Sequence, residues 1–270
     1  MKKRGIALGG GGARGAYQIG ALRALKEKGY LENIHAISGA SIGSVNAALL
    51  AMDDLSRAEE IWLTLDEDRL LKNRGGIIRR LVEERLEFVR QGVYDTDHWE
   101  AWLDELLDYD KIRKKNVYVA TSYVGEGETS FLDLMTLNLR DFFGREGLVH
   151  YLALSEMDDE RIRKTLLASC AIPIFFKPVV IDDKTYYDGG ILDNTPVRPL
   201  IDAGCEEIIV IDLFLINLSR RRIFEGVPLF NLYPKRHLRG VLNFEHEQIQ
   251  RRYDLGYNET KERLEKDPPF

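Results

Sequence analysis

Through residues 3–52 short apolar runs alternate with stretches whose apolar positions recur every three or four residues. Lys3–Leu8 has a continuous apolar centre and predicts a buried strand, which Gly9–Gly12 interrupts. Tyr17, Ala21, Leu22 and Leu25 then fall at helical spacing, predicting a helix over Ala13–Lys28 that Gly29 ends. Ile34–Ser38 predicts a second buried strand, followed by a glycine-bounded turn and an apolar helix over Ser44–Met52. Such a β-α-β-α unit is the signature of a parallel sheet covered by helices.

The middle of the chain is more charged. Helical spacing recurs over Leu55–Leu63, Ile77–Arg90 and Asp97–Leu107. Strands are expected at Val117–Tyr123 and Ser130–Leu132, on either side of the turn signal Gly125–Gly127. A helix over Glu160–Ala168 stops before Ile172–Pro173, and Val179–Ile181 with Thr185–Tyr187 reads as a hairpin around Asp182–Lys184. A helix over Pro196–Ala203, a buried strand over Glu207–Asp212 and a polar helix over Glu245–Lys266 complete the pattern. The expectation is an α/β fold in three layers, a mainly parallel central sheet with helices on both faces. Residues 53–110 are expected as a helical cap inserted into a 5–212 domain, with a basic loop and helix at 213–270 packing on the same domain.

Composition narrows the classes. With 44% apolar residues in 270, the chain can bury a sizeable core and is neither disordered nor collagen-like. A net charge of −6 argues against a chain-wide nucleic-acid binder. Cys170 and Cys205 lack the spacing of a disulfide framework or zinc site and, in apolar surroundings, read as core residues rather than reactive thiols. Neither a targeting segment nor a membrane span is read: Ile208–Leu218 is short and interrupted by Asp212 and Asn217. A cytoplasmic protein is expected.

Two glycine-bounded turns carry candidate chemistry. Gly9-Gly10-Gly11-Gly12-Ala13-Arg14-Gly15 lies between a strand and a helix, where bare backbone amides bind anions or a developing oxyanion. A Walker-type phosphate loop would need Gly-Lys-Ser/Thr where Arg14-Gly15-Ala16 stands. A dinucleotide fingerprint matches through Gly10, Gly12 and Gly15 but lacks an acid at the end of the second strand, where Ser38-Gly39 stands. A nucleotide- or anion-binding protein thus remains an alternative. Gly39-Ala40-Ser41-Ile42-Gly43 is a G-x-S-x-G pentapeptide, which by composition arises by chance in about one chain of this length in ten. Its place between an apolar strand and an apolar helix is that of a nucleophile elbow, although Ser41 could instead cap the helix. For a base, His237 and His246 have the order of a conventional Ser-His-Asp esterase. His35, His98 and His150 lie in less suitable segments. Asp188 is the better candidate, since it ends a strand and opens the Gly189-Gly190 loop.

With these residues in view, the chain resembles the patatin-like phospholipase family over Gly5–Asp212. The blocks occur in order: Gly10–Gly15, Gly39–Gly43, Ala168-Ser-Cys-Ala-Ile-Pro173, Asp188-Gly189-Gly190 and Asp193-Asn194-x-Pro196. The resemblance implies a lipid acyl hydrolase with a Ser-Asp dyad, needing no histidine and no metal. It would make Ser41 the nucleophile and Asp188 the general base. The amides of Gly11 and Gly12, with the neighbouring Arg14, would form the oxyanion hole.

An enzyme acting on lipid must approach an aggregate surface. Residues 72–90 carry six basic against three acidic residues, and 219–240 carry six basic residues against Glu225 alone. The second stretch interleaves them with Leu229, Phe230, Leu232 and Tyr233, and peripheral contact with an anionic membrane surface is expected there. For 72–90 an ordinary amphipathic core helix is the preferred reading.

Overall fold

The computed structural model describes residues 2–65, 97–126, 148–173, 176–215 and 222–270. Expectations that fall on the helix Ile77–Arg90, the strand Ser130–Leu132, the basic stretch 72–90 and Arg220–Arg221 lie outside the described residues.

The amino-terminal unit folds as β1 (Arg4–Leu8), α1 (Ala16–Glu27), β2 (Ile34–Ala40), α2 (Ile42–Ala51) and α3 (Leu55–Leu63), with one 3-10 turn over Gly12–Gly15 ahead of α1. The later strands are β3 (Val117–Glu126), β4 (Val149–Ala153), β5 (Val179–Ile181), β6 (Lys184–Asp188), β7 (Glu207–Ile211), β8 (Ile223–Phe224) and β9 (Val227–Leu232). They form one sheet in the order β5-β6-β3-β2-β1-β7-β9-β8, with β4 also on β3. The five strands β3-β2-β1-β7-β9 are mutually parallel, whereas β4, β5, β6 and β8 pair antiparallel. The fold is α/β with a mainly parallel centre and antiparallel edges.

Strand alternation sends the two faces to unequal layers. Ile6, Leu8, Ile37, Ile209 and Ile211 join the large core under α1, α2 and α3. Ala7, Ala36, Ile208 and Val210 face the other way, onto Leu200 of the short helix Arg198–Asp202. The carboxy-terminal helix His246–Lys266 lies along α1. A Cβ on Gly20 would sit 2.0 Å from the Tyr253 carbonyl oxygen, and one on Gly256 2.0 Å from that of Tyr17, so glycine on both helices permits the close crossing. The described flanks of the expected cap join the main core: Leu55, Ala58 and Trp62 of α3, and Trp99 and Leu103 of the helix Asp97–Leu106.

β3 is the strand that positions the site. On one edge it carries β2 over Val117–Ala120 and then antiparallel β6 over Thr121–Glu126, while β4 lines the opposite edge over Tyr118–Ser122. β2 and β6 therefore run toward each other along a single edge. They stop on adjacent positions, Ala40 opposite Ala120 and Asp188 opposite Thr121.

Candidate active site

Ser41 follows Ala40 directly and precedes α2 with no intervening loop. Its backbone takes φ 52° and ψ −133°, a left-handed conformation that costs a non-glycine residue about 1–3 kcal/mol. The sharp reversal needs space on both sides. A Cβ on Gly39 would lie 2.2 Å from the Gly43 carbonyl oxygen, and one on Gly43 2.2 Å from that of Leu8. The Ser41 hydroxyl makes no helix cap; it donates to Asp188 Oδ2 at 2.6 Å. Ser44 covers the Ser41 carbonyl instead, through its hydroxyl at 2.6 Å and its amide at 2.8 Å.

Asp188 is 4% exposed. Its Oδ1 accepts from the Gly190 amide at 2.7 Å, its own carbonyl accepts from the Ser122 hydroxyl at 2.8 Å, and its amide donates to the Ala171 carbonyl. Burial pushes its carboxyl up to about 7, against the two hydrogen bonds from Ser41 and Gly190 that favour the ionised form. Gly189 lies flat on β3, where a Cβ would meet the Ala120 carbonyl oxygen at 2.0 Å.

The glycine loop closes the third side. Gly9 donates to Ile211 O, Gly10 to Asn194 O, Ala13 to Val241 O and Arg14 to Gly11 O. Among the described residues, the amides of Gly11 and Gly12 are the ones that this pattern leaves without a carbonyl. Gly10 packs directly on the elbow: a Cβ there would stand 2.9 Å from Ser41 Cβ and 2.6 Å from Asn194 Oδ1. Behind the loop a buried polar relay fixes both ends. Trp62 Nε1 donates to Asn46 Oδ1, and Asn46 Nδ2 donates to Gln18 Oε1 and Gly15 O. Gln18 Nε2 in turn donates to Gly9 O at 2.7 Å.

Ser41, Asp188, Gly10, Gly39, Gly43, Gly189 and Gly190 are thus brought together, while Gly15 packs on the Trp62 ring behind them. Arg14 lies in the 3-10 turn that leads into α1. Its Nε donates to Arg239 O at 3.2 Å, and its guanidinium stacks over Phe214 at 5.0 Å. His237 and His246 are exposed, and the Ser41 hydroxyl points to Asp188 and to neither of them. His35 bonds Ala203 O, and His150 bonds the Tyr186 hydroxyl while stacking on Tyr123. Burial, reinforced by the Asp188 charge, raises the Cys170 thiol well above its ordinary value and leaves it a poor nucleophile. Among the described residues, no group of three or more His, Cys, Asp or Glu could hold a metal ion, and no helix is long and apolar enough to cross a membrane.

Two participants escape residue-by-residue reading. Ser169, the last residue of the helix Asp159–Ser169, accepts the Ser41 amide at 2.9 Å and donates to Ala120 O at 2.8 Å. Asn194 wedges between the glycine loop and the Asp188 loop, its Oδ1 against both Gly10 and Gly190. Both lie in the motif blocks Ala168–Pro173 and Asp193–Pro196, which was the one available signal.

The sequence and the fold are similar to those of known proteins. The family profile described as patatin-like phospholipase matches residues 6–201. The Bacillus subtilis protein YqhO is 28% identical over 204 residues, covering 70% of this chain and 63% of that protein. Lysophospholipase NTE1 of Cryptococcus neoformans is 29% identical over 213 residues, covering 77% of this chain but 11% of that much longer protein. Among solved structures, VipD from Legionella pneumophila superposes with a TM-score of 0.58 at 16% identity, over 98% of this chain and 67% of that one.

Proposed function

The chain belongs to the patatin-like phospholipase family, and on that footing we propose that it hydrolyses carboxylic esters of lipids through a Ser41–Asp188 dyad. The observation that carries this reading is the 2.6 Å hydrogen bond from a strained serine to a buried carboxylate. Serine needs a proton acceptor to become a nucleophile, and an ordinary aspartate is too weak a base. Burial supplies the missing basicity by pushing Asp188 up to about 7, near the pH at which a general base works best.

In this mechanism Ser41 Oγ attacks the ester carbonyl carbon as its proton passes to Asp188 Oδ2. The carbonyl oxygen becomes an oxyanion held by the Gly11 and Gly12 amides. Collapse of the intermediate expels the alcohol, which takes the proton back from Asp188 and leaves Ser41 acylated. Water then attacks the acyl group, giving its proton to Asp188. Release of the fatty acid returns the hydroxyl to Ser41. The amino-terminal end of α2 directs its positive pole toward the elbow and favours the charge that develops there. Arg14 acts by tying the loop to residue 239 and by its positive charge, since its side-chain bond goes to a carbonyl.

Lysophospholipids and phospholipids are the proposed substrate class. The named relative NTE1 is a lysophospholipase and supports that choice. Fatty-acid release from a mixed lipid panel tests it. Release by wild type and none by Ser41→Ala is the expected result. Equal release by both removes Ser41 from the chemistry.

A further inference from the structure

Arg252 lies on the carboxy-terminal helix, beyond the span matched by the family profile, and is 2% exposed. Its guanidinium donates to five backbone carbonyls: Nε to Leu238 at 3.1 Å, Nη1 to Ala13 at 3.2 Å and Asn243 at 2.6 Å, and Nη2 to Arg239 at 3.3 Å and Gly240 at 3.1 Å. None of these five acceptors is a carboxylate. A buried cation is retained at considerable desolvation penalty, and the planar five-donor fork of arginine is what can gather so many carbonyls at once.

The place where those carbonyls lie gives the arrangement a purpose. Ala13 belongs to the turn that follows Gly11 and Gly12, while the other four acceptors form a strap, residues 238–243. The strap touches the glycine loop independently of Arg252. Val241 O accepts the Ala13 amide at 2.7 Å, and Arg239 O accepts Arg14 Nε. A Cβ on Gly12, whose φ is +56°, would stand 2.2 Å from Val241 O. The strap is therefore the outer wall of the loop, and Arg252 is the group that holds the strap in shape.

We propose that Arg252 is a positioning residue for the oxyanion loop: by clamping the 238–243 strap onto Ala13 it fixes the direction of the Gly11 and Gly12 amides. The carboxy-terminal helix is then part of the catalytic apparatus rather than an external brace. This inference rests on the role given above to the glycine loop, so its test includes a readout that does not depend on turnover.

The variants are Arg252→Lys, which keeps the charge but not the fork, and Arg252→Met. Amide hydrogen exchange of residues 9–16 is followed with steady-state kinetics and the pH profile. In both variants Ala13 exchanges faster while α2 and β7 stay as in wild type. The kcat falls by about 10- to 100-fold, at or below the roughly 100- to 1000-fold cost of losing one oxyanion donor outright, with little change in KM. The acidic limb of the pH profile, set by Asp188, does not move. In a third variant, Arg252→Ala, which leaves room for the missing group, ethylguanidinium restores activity and sodium at equal concentration does not. Unchanged exchange at Ala13 overturns the proposal whatever the activity does, and so does acceleration spread uniformly over the chain. Wild-type kcat in Arg252→Lys and Arg252→Met overturns it as well. Lack of Ser41-dependent turnover in wild type would instead sink the functional reading and leave the exchange result to decide the clamp.

Discussion

Asp188 accepts the Ser41 hydroxyl at 2.6 Å while only 4% exposed, so one hydroxyl and the Gly190 amide stand in for its hydration shell. That replacement is incomplete, and burial leaves the carboxyl at about 7. Because the base must be ionised to accept the serine proton, kcat/KM should rise with pH along a limb centred near 7. A rate that stays flat down to pH 5 would contradict this.

The same shift has an opposite consequence for stability. An aspartate whose folded pKa lies above its unfolded value binds more protons when folded, so its contribution is present at low pH and is lost as pH rises toward 7. Asp188→Asn removes the buried charge while keeping an acceptor for the Gly190 amide. At pH 8 it should be more stable than wild type by on the order of 2–4 kcal/mol, and the advantage should shrink as pH falls and be all but gone at about pH 4. Paired urea titrations at the two pH values check this; equal stability at pH 8 goes against it.

Ser169 is the sole described partner of the Ser41 amide, and it is itself buried. Ser169→Ala strands that amide and removes one donor from the Ala120 carbonyl, so a stability loss of about 1–3 kcal/mol is expected. Because the left-handed elbow loses its tether, kcat should fall while KM changes little. Full activity in Ser169→Ala would mean that the glycines alone hold the turn.

The basic stretch 219–240 divides in space. Register places Leu232 beside Ile211, and Ile211 and Gly39 flank Leu8, so Tyr233 and the residues after it leave the sheet at the Ser41 end. Exposed Ile223 pairs with Pro228 and lies toward the opposite end. Tyr233 is 43% exposed, Arg236 and Arg239 are exposed beside it, and Lys235 is paired with Glu262. We propose that anionic vesicles are met at this end. Arg236→Glu with Arg239→Glu should lower flotation with anionic vesicles at low salt, whereas Arg222→Glu should not. Equal flotation with neutral and anionic vesicles would remove the surface from the account.

The elements read from sequence were those whose signals are local. The strand, the glycine-bounded turn and the helix around Ser41 are contiguous. Even there the helix starts at Ile42 rather than Ser44, because Ser41 makes the whole turn in one left-handed residue. β9 was hidden by Pro228 and by its basic surroundings, and β4 by a short, half-buried segment with no strong alternation. Asp188 was legible as a strand-ending aspartate before Gly-Gly. What brings it to Ser41, the head-to-head ending of β2 and β6 on β3, is a matter of pairing between distant segments. Arg252 was invisible for the same reason: its acceptors are backbone carbonyls, and carbonyls leave no trace in a sequence.

The most direct test of the dyad is the rate at which a fluorophosphonate ester labels Ser41, followed by mass spectrometry of the modified peptide. Rapid labelling is expected of wild type, His237→Ala and His246→Ala alike, none of Ser41→Ala, and labelling slowed by at least about a hundredfold of Asp188→Asn. Wild-type labelling in Asp188→Asn, or its loss in either histidine variant, would contradict the dyad.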